Sequence, residues 1–122
     1  MSPIEVLVRK ADFQRIHREG RALRGPEVVV VYIRTDGPAC RYAVVASRKV
    51  GSAVCRNRAK RTLREALRRL FGGEDFAGID ILLIARSGAV ARTSRALREQ
   101  VESLLLHEGV LSGGSPTRPG EI

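Results

Sequence analysis

The sequence has no tryptophan, two tyrosines and three phenylalanines, so aromatic residues make up 4% of its 122 positions. A core must therefore come from aliphatic side chains, and a surface that stacks on planar ligands has little to draw on. Cys40 and Cys55 are the only cysteines. Without a charged-then-apolar leader at the N-terminus they are expected to stay reduced. No apolar run approaches the ~18 residues of a membrane span. HxH, CxxC and HExxH spacings are absent, and His17 and His107 lie far from each other and from any carboxylate-rich cluster. That leaves no metal-ligand set and no acid–base constellation for an autonomous enzyme. Cys55 has a basic surround that can activate a thiol, but no histidine base sits near it in sequence. "GSAVCRNRAKRT" (51–62) lacks the glycine spacing of a phosphate-binding loop. The residues point to a soluble, cytoplasmic binding protein with no membrane partner and no small-molecule substrate.

Acids are also scarce: 13 Asp and Glu stand against 22 Lys and Arg, a net charge of +9. The excess is local. From Arg41 to Arg69 there are ten Lys/Arg and one acid, Glu65, so this window alone carries the whole net charge. Solvated helix faces usually interleave both signs, because i,i+4 pairing favours it. A single-sign stripe is instead the electrostatic footprint of a phosphate-binding face. Arginine outnumbers lysine 19 to 3. Its planar fork suits phosphate and base stacking, although a GC-rich genome yields the same bias.

At this length the chain is one domain, over residues 1–111, with a Gly/Ser/Pro-rich tail at 112–122 that is expected to be disordered. A first helix is predicted over 11–19, with Phe13, Ile16 and His17 on one face and Gly20 as its stop. "EVVVVYIR" (27–34) reads as a strand, "TDGP" (35–38) as a turn and "RYAVVASRKV" (41–50) as the antiparallel partner. A second helix follows Gly51 and Ser52 and ends before Gly72. "IDILLIAR" (79–86) reads as a strand buried on both faces. Ser94 is the candidate N-cap of a last helix with the stripe Leu97, Val101, Leu104 and Leu105, and Gly109 is its stop. The first nine residues commit to nothing. The order is α-β-β-α-β-α, an α+β sandwich.

At ~100° per residue, the second helix splits into two faces. Ala59, Leu63, Ala66, Leu67 and Leu70 share one arc, which must face the sheet. Arg56, Asn57, Lys60, Arg61, Arg64 and Arg68 share the next, with Arg58 and Arg69 further round and Arg48 and Lys49 extending the stripe upstream. Asn57 adds a group that both donates and accepts. The helix N-terminus, with its free N–H groups, adds further attraction for phosphate. No two-helix turn motif precedes this helix, which disfavours a DNA reader. Its small apolar residues, Ala59 and Ala66, do not suit a membrane surface.

Arg56-Asn57-Arg58, followed by Lys60-Arg61 and Arg64-Glu65 and preceded by "SRKVGSAV" (47–54), resembles the signature helix of the bacterial ribonuclease P protein family. "ADFQRIHREG" (11–20) and "DILLIAR" (80–86) resemble the elements on either side, so the likeness spans about residues 7–109. The resemblance implies an α-β-β-β-α-β-α-type single-domain α-β sandwich, with a mixed, mostly antiparallel sheet and a left-handed β-α-β crossover around the basic helix. It also implies function: an RNA-binding subunit that helps a catalytic RNA remove the 5′ leader of precursor tRNA. The partners are that RNA and the leader-bearing precursor. The protein adds substrate and metal affinity, while Mg2+ is bound mainly by the RNA subunit and substrate and none is intrinsic to the protein. Endoribonuclease activity belongs to the holoenzyme, with no catalytic residue in the protein. The implied RNA-binding residues are Arg48, Lys49, Arg56, Asn57, Arg58, Lys60, Arg61, Arg64 and Arg68. The leader cleft, between the first helix and the sheet, is implied to use Phe13, His17, Val31 and Tyr32. Two positions depart from the family pattern: His17 replaces a second aromatic, and Val31 stands where some members have tyrosine, with Tyr32 one residue later on the opposite strand face. Both weaken base stacking, so the cleft relies more on Phe13, charge and shape. A ribosomal-type RNA-binding protein without enzyme activity is the alternative.

Overall fold

The apolar run Ile79–Ala85 forms the central strand of the fold, and the sheet is organised around its need for cover on both faces. The computed structural model describes residues 4–7, 9–37, 40–72 and 78–109. In chain order the elements are β1 (Ile4–Val6), α1 (Lys10–Glu19), β2 (Arg21–Arg24), β3 (Val28–Arg34), β4 (Cys40–Ala46), α2 (Ala53–Gly72), β5 (Ile79–Ala85) and α3 (Ser94–Glu108), with short 3-10 turns at Arg48–Val50 and Ser87–Ala91. The strand order is β1-β4-β5-β3-β2. β1 and β4, and β4 and β5, pair in parallel, while β3 pairs antiparallel with β5 and with β2.

Two sequence expectations are corrected here. β3 and β4 are not hairpin partners; β5 lies between them. The sheet is mixed, but its pairings divide evenly between parallel and antiparallel instead of being mostly antiparallel. Both corrections have one cause. A strand apolar at nearly every position gains most in the middle of a sheet, where neighbours and helices shield both faces. β3 and β4 therefore give up pairing with each other to flank it. β1 and β2 are additional edge strands that residues 1–9 and 21–24 do not announce. The tail at 112–122 and part of the 35–38 turn lie outside the described residues.

One sheet face carries α2 and α3. Val28, Val30, Ile79, Ile81, Leu83 and Ala85 meet Ala59, Leu63, Ala66, Leu67 and Leu70 of α2 and Leu97, Val101 and Leu105 of α3. The five α2 residues are the apolar arc expected from its periodicity, and all are buried. Gly51, at φ 139°, lies in the left-handed region that favours glycine and turns the chain into α2. Ser52 Oγ then accepts from the Cys55 N–H at 3.3 Å. At α3 the N-cap is Thr93, whose side chain accepts from the Ala96 N–H; Ser94 is the first helical residue.

Among the described residues, the opposite face carries only α1. It packs Ile16, fully buried, with Phe13 at the margin, against Leu7, Val29, Val31, Ala43 and Leu82. The pairing registers divide this face into three rows across the strands. Ile33, Asp80 and Arg41 form the first row; Ala22, Val31, Leu82 and Ala43 the second; Arg24, Val29, Ile84 and Val45 the third. One ten-residue helix cannot cover all three.

Candidate nucleic-acid interface

α2 presents its cations as the sequence pattern requires. Asn57, Arg58, Arg61, Arg64 and Arg68 are exposed, whereas Arg56 and Lys60 are half-buried. Arg56 donates from Nη1 to the Gly51 carbonyl at 3.1 Å, which ties it to the turn before the helix. Arg69 pairs with Glu65 at 3.2 Å, one turn back. Among the described residues, no acid pairs with Arg58, Lys60, Arg61, Arg64 or Arg68. Like charges one turn apart repel, so this face gains from any polyanion that replaces its counterions. Arg48 and Lys49 are exposed in the 3-10 turn that leads into α2.

The second feature is a groove beside α1. Gly20, at the end of α1, comes so close to the sheet that a Cβ there would sit 2.8 Å from Val31 Cγ1 and 2.4 Å from the Ile16 carbonyl. The helix therefore lies over the second row, and Asp12 and Arg15 reach the first. Asp80 Oδ1 accepts from Arg41 Nε at 2.9 Å and Oδ2 from Arg41 Nη2 at 2.6 Å. Arg41 Nη1 goes on to Asp12 Oδ2 at 3.4 Å, and Arg15 Nη2 lies 3.6 Å from Asp80 Oδ2. Arg15 Nε is buried without a hydrogen-bond partner among the described residues. Around the helix axis Phe13 and His17 lie on the flank of Ile16 opposite Asp12 and Arg15. They therefore look toward the third row, where Ile84 and Val45 remain partly exposed and Arg24 stands exposed on β2.

The four cleft residues drawn from the sequence separate. Phe13 is half-buried against the α1-side core, and His17, one turn on, is exposed instead of sharing Ile16's buried face. Val31 is on the α1 side of the sheet but 6% exposed, covered by the helix end. Tyr32 does not line the cleft: strand alternation sends it to the α2–α3 face, where its hydroxyl donates to Glu108 Oε2 at 3.1 Å. Glu108 is also paired with Arg21, so Tyr32 helps fasten the end of α3 to β2 and β3. The sequence reading passed over Ile84, Val45 and Arg24 as groove residues, since their face depends on strand register. It also passed over Asp80, although a lone acid inside "IDILLIAR" is a visible signal.

Both cysteines are free. Cys40 is buried at the start of β4, and burial, with a smaller contribution from the Asp80 charge, pushes its thiol up to about 12. Among the described residues no group of three or more His, Cys, Asp or Glu could hold a metal ion. No described helix is long and apolar enough to cross a membrane.

The groove and the cation stripe approach each other at one end of the sheet. The third row includes Val45, next to the last residue of β4, and Arg48, Lys49 and the start of α2 follow directly. An apolar floor beside a partly exposed aromatic, continuing into arginines that have no acidic partner among the described residues, suits a strand whose bases and phosphates need different surfaces. Comparison with known proteins agrees. The ribonuclease P family model matches residues 1–108. The ribonuclease P protein component of Gluconacetobacter diazotrophicus is 36% identical over 105 residues, covering 85% of this chain and 90% of that protein. That of Symbiobacterium thermophilum is 39% identical over 100 residues, covering 81% and 86%. The solved RNase P protein from Thermotoga maritima shares 32% identity at a TM-score of 0.70, covering 81% of this chain and 93% of that one. The RNase P protein from Staphylococcus aureus shares 28% at 0.69, covering 88% and 97%. This chain belongs to the ribonuclease P protein family, the RNA-binding subunits of a ribonucleoprotein endonuclease that processes precursor tRNA.

Proposed function

We propose that the two surfaces divide the work of that subunit: the α2 stripe holds RNA through its phosphates, and the groove between α1 and the third sheet row takes the single-stranded 5′ leader. The stripe comprises Arg48, Lys49, Arg56, Asn57, Arg58, Lys60, Arg61, Arg64 and Arg68, with the exposed arginines as the principal contacts. Phe13 is the stacking platform, His17 flanks it, and Ile84, Val45 and Arg24 complete the groove, while Val31 supports it from beneath α1. The observation that carries this reading is the partly uncovered third row, which opens beside Phe13 and toward the start of the cation stripe.

The partners are the catalytic RNA of the holoenzyme and precursor tRNA, and we place the complex in the cytoplasm. Mg2+ belongs on this reading to the RNA subunit and the substrate, and supplies there the activation of water and the stabilisation of phosphoryl charge. The protein's own residues bind and orient. They hold the leader along the sheet and lower the repulsion between two polyanions.

Phe13→Ala in the reconstituted holoenzyme tests the groove. Stacking on one aromatic is worth about 1–3 kcal/mol, so affinity for leader-bearing precursor should fall by that amount while affinity for mature tRNA stays constant. Because Phe13 is only half-buried, its removal should cost less than the ~3–5 kcal/mol of a fully buried phenylalanine. Equal losses on both tRNAs would remove the groove from the account.

A further inference from the structure

We propose that Asp80 is a positioning residue for leader recognition: through Arg41 and Arg15 it sets the rotation of α1 over the sheet, and with it the place of the Phe13 edge of the groove. The inference rests on the reading that this groove takes the leader.

Asp80 is the one fully buried charged side chain among the described residues, at 1% exposure. Its carboxylate takes both Arg41 contacts side by side. Arg41 is its direct cross-strand neighbour in the β4–β5 register, so the backbone pairing fixes this half of the cluster. The other half belongs to α1: Asp12 meets Arg41, and Arg15 meets Asp80. A bidentate guanidinium–carboxylate pair is directional. The other main anchor of α1, Ile16, is apolar and has no preferred orientation. A short helix held by one buried aliphatic side chain can turn about its axis at little cost; tethers on one flank prevent that.

The opposite flank carries Phe13 and His17. With side-chain tips about 5–6 Å from the helix axis, a turn of ~20° would move Phe13 by about 2 Å relative to Ile84 and Val45. A buried ion pair is weak support for stability and is often replaceable by apolar residues without loss. Arg15 even keeps a buried donor unpaired in order to sit here. What the cluster supplies is direction.

The test uses the holoenzyme reconstituted with the ribonuclease P RNA and precursor tRNA with and without its leader. Two variants are compared with Phe13→Ala: Asp80→Asn, which leaves Arg41 and Arg15 facing a neutral side chain, and the double variant Arg41→Leu/Asp80→Leu, which removes the central pair and leaves Asp12 and Arg15, the outer members, without it. We expect both to weaken leader-bearing precursor about 5–20-fold, in KM and not in kcat at saturation, with mature tRNA changed less than twofold. The double variant should be more thermally stable than Asp80→Asn, which keeps the Arg41 charge beside a neutral side chain, while showing the same leader defect, so that the defect is separated from fold stability. Combined with Phe13→Ala, Asp80→Asn should add little, because it acts through Phe13. If leader affinity in the double variant recovers along with stability, or the double variant fails to fold, the pair serves the fold and the proposal is overturned. A leader defect in Phe13→Ala that is absent from both Asp80 variants overturns the proposal and leaves the groove reading intact. No leader defect in any of the three overturns the groove reading and the proposal together.

Discussion

Replacing Arg61, Arg64 and Arg68 with alanine isolates the electrostatic share of RNA binding. At ~100° per residue these three fall within an arc of about 60° on α2. All are exposed, and among the described residues none has an acidic partner. Arg56 is a poorer probe because its contact with the Gly51 carbonyl supports the turn before the helix. Each phosphate contact contributes roughly 0.7–0.9 to the slope of log affinity against log salt, so three contacts contribute about 2–2.7. Between 50 and 200 mM monovalent salt, log salt changes by ~0.6, so the advantage of the parent over the triple variant should shrink by about 20–40-fold. Stability should hold or rise slightly, since no ion pair is lost and like-charge repulsion within the helix is relieved. Binding to the ribonuclease P RNA is followed by filter binding or fluorescence titration at four or more salt concentrations, with circular dichroism to verify the fold. An unchanged slope in a folded triple variant would refute the assignment of this face to phosphate.

Cys40 gives a pH signature: its thiol holds the proton more tightly in the fold, about 12 against an ordinary 9.0. That stabilisation is full below about pH 9 and is lost as pH rises toward 12, at ~1.4 kcal/mol per pH unit; denaturant titrations of parent and Cys40→Ala should differ in slope only above pH 9. Leu67→Ala, at a site 1% exposed, should cost about 2–5 kcal/mol, whereas Arg68→Ala next to it should stay within about 0.5; urea melts of the pair compare the two faces of α2 directly. Protein alone, incubated with labelled precursor tRNA and Mg2+, should produce no 5′ cleavage; site-specific cutting that co-purifies with the chain would contradict the assignment of catalysis to the RNA.

Local chemistry was legible wherever it depends on a short stretch of chain. The two faces of α2 follow from a 3.6-residue period that needs no partner to express itself. Its buried arc, Ala59, Leu63, Ala66, Leu67 and Leu70, and its exposed arginines Arg58, Arg61, Arg64 and Arg68 sit where that period puts them. The ends of α1 at Gly20 and of α3 at Gly109 were likewise written locally. The charge window 41–69 points to nucleic acid independently of the fold.

Pairing between strands was not legible, because a strand's sequence states which faces it can bury and not which neighbour it meets. "EVVVVYIR" and "RYAVVASRKV" could have closed on each other as a hairpin. The greater burial available to Ile79–Ala85 in the middle of the sheet separated them. That one decision set the registers, and the registers set everything in the groove. They turned Tyr32 away toward Glu108, put Val31 beneath the end of α1, lined up Arg24, Ile84 and Val45 in a row no single segment contains, and brought Arg41 against Asp80. A helix periodicity is fixed by the backbone within a few residues, whereas a sheet row is assembled from segments far apart in sequence, so the sequence determined the basic helix and only the tertiary structure decided the groove.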